Sequence, residues 1–204
     1  MPALERTAAT DAVALTFDDG PDPDATPAVL DALDAAGARA TFFLLGEQVM
    51  AHRELGREVV ERGHEVALHG YGHDDHDSLT ETAARDDLAR GLGTLEAGVG
   101  VRPRFCRPPY GRFSPASYAA CEALGLERVY WSGWGGDWEP VPGERIAELA
   151  SRDLGPGAIL VLHDSARYAD RESALPTAEA IPAIAERAAE LRLRLVTLGD
   201  AVAG

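Results

Sequence analysis

No lysine occurs in this chain of 204 residues: all 19 basic residues are arginine, set against 34 acids for a formal charge of −15. With no basic stretch to follow a phosphate backbone, this balance argues against nucleic acid and against anionic membrane as partners. Long apolar runs are missing too. None reaches the length that crosses a bilayer, and 1–11 lacks the apolar stretch of an export signal, so the sequence as it stands is expected to be soluble and cytoplasmic. Cysteine is scarce: Cys106 and Cys121 are the only two, neither has a CxxC partner, and their setting fits packed thiols better than a disulfide or a thiolate metal site. Linkers, repeats and low-complexity tracts are also absent, which predicts one domain over 1–204 with a core at about 13–202; a hydrophobic content of 46% is ample for burying it.

What is present is alternation. Short apolar or β-branched runs at 12–17, 40–44, 65–68, 104–106, 128–131, 158–162 and 194–197 are interleaved with helix-length amphipathic segments at 27–36, 48–62, 80–98, 115–124, 143–154 and 178–191. Gly37, Gly63, Gly125 and Gly155 each follow a helical run, where glycine suits a left-handed cap. The pattern is α/β with about seven parallel strands, as a barrel or a doubly wound sheet, and both place ligands at the carboxyl ends of strands. Asp18, Asp19, His69, Arg107 and His163 all fall at such ends.

Leu15-Thr16-Phe17-Asp18-Asp19-Gly20 carries two adjacent carboxylates from a strand onto a turn. Strand neighbours face opposite ways, so both aspartates serve one site only where the chain bends, and Gly20-Pro21 supplies the bend. An Asp-Asp-Gly turn can also be simply solvated. His69 and His73, in HGYGH, add two imidazoles, and Gly70 and Gly72 oppose a helix between them, so a loop folded round an ion is expected. One carboxylate and two imidazoles suit a divalent cation and leave the other carboxylate free as a base. His64 reads as a strand-start residue and His76 as a solvated loop residue. In Arg107-Pro108-Pro109-Tyr110-Gly111 the prolines stiffen a turn that holds a guanidinium, either in a bidentate contact to Asp18 or in a surface ion pair. His163, after a fully apolar run, stands at a strand mouth or is a satisfied core histidine. Trp131, Trp134, Trp138 and Tyr71 offer flat faces for a sugar ring or serve as ordinary packing.

In this order, TFDDG, HGYGH, RPPYG, GDW and ILVLHD resemble the motifs of the NodB-homology polysaccharide deacetylases of carbohydrate esterase family 4, over roughly 13–202. The resemblance implies a distorted (β/α) barrel. It also implies hydrolysis that removes an N-acetyl group, a linear amide, from an N-acetylated sugar or oligosaccharide, and sometimes an O-acetyl ester group from sugars. The implied cofactor is one divalent metal ion, zinc first, with Co2+, Mn2+ or Ni2+ as alternatives, held by Asp19, His69 and His73. Asp18 is the implied base, supported by Arg107, and His163 the implied general acid, oriented by Asp137. On the substrate side the resemblance places the backbone N–H of Tyr110 at the oxyanion, Leu162 beside the acetyl methyl and Trp138 against the sugar. The same ligand set suits non-haem iron oxygenases, but the additional Asp18 and His163 select hydrolysis.

Two positions depart from the family pattern. Gly70 stands where a serine or threonine usually braces the histidine loop, so a looser loop is expected; Trp134 stands where an acid usually opens the fourth motif. Two alternatives therefore stay open: an amidohydrolase of a small ureide or formamide on the same fold, and a sugar-binding relative without turnover.

Overall fold

In the computed structural model, which describes residues 2–204, the strand carrying the two aspartates is central to the sheet. β1 (Ala12–Asp18) is buried at every position, as an apolar run without alternation must be when both faces are covered. On one side follow β2 (Thr41–Leu44), β3 (Glu65–Leu68), β4 (Phe105–Cys106) and β5 (Glu127–Arg128); on the other lie β7 (Ile159–His163) and then β6 (Gly133–Trp134). β8 (Arg194–Val196) pairs with Ala12–Ala14, and every strand pairing is parallel. The amino-terminal segment links the two sides, with Leu4 bridging to Val129 just past β5 and Arg6 to Ala158 just before β7. This is the expected distorted (β/α) barrel of about seven parallel strands, with eight among the described residues.

Helices cover the outer face. α1 (Thr26–Ala36) has proline in its first turn and ends on Gly37 at φ 62. α4 (Glu81–Val99) is capped by the Thr80 hydroxyl, which accepts from the Ala83 N–H, and α5 (Pro115–Leu124) by Ser114, which accepts from Ser117. α6 (Gly143–Arg152), α7 (Leu175–Glu190) and α8 (Leu198–Ala203) complete the set with two short helices, α2 (Gly46–Ala51) and α3 (Arg53–Glu61). Those two replace the single helix expected over 48–62, because His52 leaves helical geometry at φ −131, ψ 51. Gly155 is not a left-handed cap: α6 ends at Arg152 with Asp153 as its cap, and the left-handed glycine there is Gly157.

The parity of β1 separates two environments. Val13, Leu15 and Phe17 pack outward with Leu30, Leu33 and Ile181, whereas Ala12 and Ala14 join Phe43, Phe105 and Ile159 in the other cluster. Thr16 and Asp18 continue that second row, so an apolar floor gives way to polar groups towards the carboxyl end of the strand. Cys106 and Cys121 are buried free thiols, as expected. No helix among the described residues is long and apolar enough to cross a membrane.

Candidate active site

Asp19, the residue after β1, adopts φ 81, which is uncommon for a residue with a side chain. That turn brings its carboxylate to the same strand mouth as Asp18. Asp19 Oδ1 lies 3.2 Å from Nε2 of His69 and 3.2 Å from Nε2 of His73, and one ligand atom from each of the three residues falls within 4.8 Å of the others. Asp19 Oδ1 is buried and has no hydrogen-bond partner in the chain. A buried, unpartnered carboxylate oxygen facing two imidazole nitrogens is the donor set of a divalent cation, so the residues present fit such an ion. Burial works to raise the Asp19 carboxyl, but the two facing rings and His163 outweigh it and hold the group well below the usual carboxylate range. His69 extends β3, and its Nδ1 contacts the Arg107 carbonyl at 2.7 Å, which orients the ring and leaves Nε2 turned to Asp19.

Asp18 is held by Arg107, whose Nη1 donates to Asp18 Oδ1 at 2.7 Å and to Thr16 Oγ1 at 3.0 Å. The contact is single rather than bidentate, because Nη2 is committed to the Tyr130 carbonyl at 2.8 Å. Arg107 is fully buried, with its guanidinium 4.2 Å from the centre of the Phe43 ring, so it is no surface pair.

Across the mouth stands an imidazole buttressed by a third carboxylate. Asp137, buried, contacts His163 Nδ1 at 2.9 Å through Oδ1, and its Oδ2 accepts from the His163 backbone N–H and from the Thr177 hydroxyl, each at 2.8 Å. Arg171 Nη2 lies 3.6 Å from the same Oδ2. Burial alone would lower the His163 ring; the Asp137 carboxylate, with Asp19 and Asp18 behind it, pushes the ring up to about 9. The site thus holds a fixed carboxylate able to accept a proton and an imidazolium able to give one.

A cavity of about 390 Å³ joins these groups, and Asp18, Asp19, His69, His73, Tyr110, Trp138 and His163 all line it. Tyr110 has φ 59, and Trp138 sets its ring edge-on to His163 at 6.0 Å between centroids. Arg107 and Asp137 lie beneath the surface, each fully buried. Leu162 is not on the wall: it is fully buried in the outer cluster, and the β7 residues that line the cavity are Val161 and His163, on the other side of the strand. Trp131 also lines it, while Trp134 does not and Tyr71 lies under Arg90.

Two expectations fail for one connected reason, the carboxylate of Asp87. The loop after His69 is not slack: Asp87, on α4, accepts from the backbone N–H groups of Tyr71 and Gly72, each at 3.0 Å. Burial raises the Asp87 carboxyl, yet His76 and these two amides overcome it and leave the group lowered. His76 is therefore not solvated; it is fully buried, with Nε2 3.4 Å from Asp87. His64, the strand-start residue, accepts the Ala40 N–H at Nδ1, and burial lowers its ring to about 4. Tyr168 and Asp170 also line the cavity and were not foreseen; they come from a stretch with no periodic signal.

The parallel barrel carries, at the carboxyl mouth where such barrels place their sites, an Asp-His-His cluster able to hold a divalent cation. The sequence profile of the polysaccharide deacetylases matches residues 5–129, and the chain belongs to that family, carbohydrate esterase family 4. It is 37% identical over 156 residues to a chitooligosaccharide deacetylase of Bradyrhizobium sp. (strain ANU 289), covering 76% of this chain and 71% of that one. It is 32% identical over 153 residues to a peptidoglycan-N-acetylglucosamine deacetylase of Bacillus cereus, covering 75% of this chain but only 56% of that protein's length. Among solved structures, a peptidoglycan N-acetylglucosamine deacetylase bound to 4-naphthalen-1-yl-N-oxidanyl-benzamide superposes with a TM-score of 0.88 at 29% identity, over 97% of this chain and 91% of that chain.

Proposed function

We propose that this chain is a metal-dependent hydrolase, a single catalytic domain that removes N-acetyl groups from an N-acetylated sugar or oligosaccharide. The observation that carries the reading is the convergence on one cavity of the Asp19, His69 and His73 cluster with two separately buttressed groups, Asp18 on Arg107 and His163 on Asp137. Asp19, His69 and His73 would hold the ion, and the nitrogen-rich set favours Zn2+, with Co2+, Mn2+ or Ni2+ as substitutes. When bound, such an ion lowers the pKa of a water and polarises a carbonyl oxygen.

The chain's own residues supply the rest. Asp18, fixed by Arg107, accepts a proton from the attacking water as its oxygen bonds to the acetamide carbon. The backbone N–H of Tyr110, a residue of the cavity wall with φ 59, would donate to the developing oxyanion. His163, whose ring the Asp137 carboxylate pushes up to about 9, hands its Nε2 proton to the departing nitrogen, so the C–N bond breaks to give acetate and a free amine. Trp138 offers an apolar face beside His163 for the sugar ring. The names of the chitooligosaccharide and peptidoglycan relatives support N-acetylglucosamine as the sugar.

The test is acetate release from N-acetylglucosamine oligomers by the purified protein supplied with Zn2+. Activity is expected to vanish with a chelator and to fall by at least a hundredfold in Asp18→Asn. A metal-loaded protein that releases no acetate from acetylated sugars but hydrolyses small ureides or formamides would move the reading to that alternative. Of the two departures that favour the non-catalytic alternative, Gly70 lies in a loop that Asp87 braces, and Trp134 lies off the cavity wall.

A further inference from the structure

His69 and His73 face the same aspartate, but they are held differently. The Nδ1 of His69 is tied to a carbonyl, whereas the Nδ1 of His73 is buried with no hydrogen-bond partner in the chain. Torsion about the bond to a histidine ring is soft, so an imidazole without that second bond turns unless its faces are confined. Here they are. The ring of Tyr168 lies flat on His73, 4.1 Å between centroids and 6° between planes, and Tyr110 meets it edge-on at 4.7 Å and 70°.

Tyr168 is itself fixed from two directions. Its hydroxyl donates to Glu47 on α2 and accepts from Gln48 Nε2 at 3.3 Å. The segment that carries it, after β7, is pinned by Arg171, which donates to the carbonyls of His163 at 3.0 Å and Ser165 at 3.2 Å and to the Thr177 hydroxyl at 2.7 Å. Two ends of the barrel mouth, α2 and the β7 loop, therefore converge on one ring, and that ring sets the plane of the imidazole.

We propose that Tyr168 is the positioning residue for His73, its stacked ring doing for this ligand what the Arg107 carbonyl does for His69. The proposal rests on reading Asp19, His69 and His73 as a metal centre. Partners that orient a ligand typically change metal affinity by about 10–100-fold when lost, and a stack without a hydrogen bond belongs at the lower end of that range.

Zn2+ affinity of the whole protein, read by competition with a chromophoric chelator, tests this in wild type, Tyr168→Phe, Tyr168→Leu and Tyr168→Ala, with the melting temperature of each metal-free variant recorded alongside. The ring alone should suffice: Tyr168→Phe is expected within about threefold of wild type and Tyr168→Ala about tenfold weaker. Tyr168→Leu, which keeps bulk but not the flat face, should resemble Ala and stands in for it should Ala fold poorly. In a His73→Ala background, Tyr168→Ala should change affinity no further. Equal affinity in wild type and the Leu or Ala variant overturns the proposal, as does a loss in Phe as large as in Ala. A wild-type protein with no Zn2+ affinity overturns the metal-centre reading itself.

Discussion

His163 carries a charge that burial opposes, and its partner decides the outcome. A buried imidazole left alone would be neutral; placed 2.9 Å from Asp137 it is raised to about 9. The unfolded ring titrates near 6.5. Because the folded value is the higher, the stabilisation from this pair is complete below about pH 6.5 and disappears as pH rises through about 9. Thermal melts of the metal-free protein and of His163→Gln, recorded from pH 6 to pH 10, should therefore show a gap that is widest at the acid end and closes towards pH 10. A gap independent of pH would mean that the ring is neutral in the fold. The same proton is the one the leaving nitrogen needs, so the charge that stabilises the fold also equips the acid. Asp18 shows the complementary arrangement: one guanidinium nitrogen fixes it, and the other is spent on the Tyr130 carbonyl, which leaves Asp18 Oδ2 free of Arg107.

At the scale of elements, the loop after β3 depends on a helix far from it in sequence. α4 lies close enough for Asp87 to accept both loop amides, and Gly70 sits at φ 107, where a Cβ would come within 2.8 Å of Asp87 Oδ2. A side chain at this position is accordingly expected to harm this protein: Gly70→Ser should lower stability by about 1–3 kcal/mol, from backbone strain and displacement of Asp87. A denaturant titration showing Gly70→Ser as stable as wild type would count against that account. Such dependencies explain what could be read from the chain and what could not. β3 and α5 matched their expected ends because a glycine or a capping serine marks their boundaries locally. β6 is a Gly-Trp dipeptide and α8 six residues, too short to show a period, while the break at His52 has no proline or glycine to announce it. Asp18, Asp19, His69 and His163 were legible because strand ends are recognisable. Asp87 and Tyr168 were not, since each acts on a loop that only the tertiary fold brings near. Leu162 was misplaced by one residue of strand parity: His163 faces the cavity, so Val161 does too.

Across the whole molecule, the Asp19-His69-His73 cluster brings together pieces that the sheet alone leaves at separate strand ends. Asp19 follows β1, His69 follows β3, and His73 lies on the loop held by α4 and clamped from the β7 side by Tyr168. An ion bound by all three ligands exists only in the folded chain, so its binding free energy adds to folding stability by mass action. At a free Zn2+ concentration 100 times the dissociation constant the gain is about 2.7 kcal/mol. For a chain of this size each kcal/mol moves the melting temperature by about 2–4 °C, so a rise of roughly 5–11 °C is expected and should reverse with chelator. In His73→Ala the rise should shrink towards zero, because two ligands remain and one of the three segments is released. A rise as large in His73→Ala as in wild type would place the ion elsewhere, a real possibility to exclude in a chain with 34 acidic residues on 204. The comparison of the two proteins, rather than the shift in either, is what locates the ion at the mouth of the barrel.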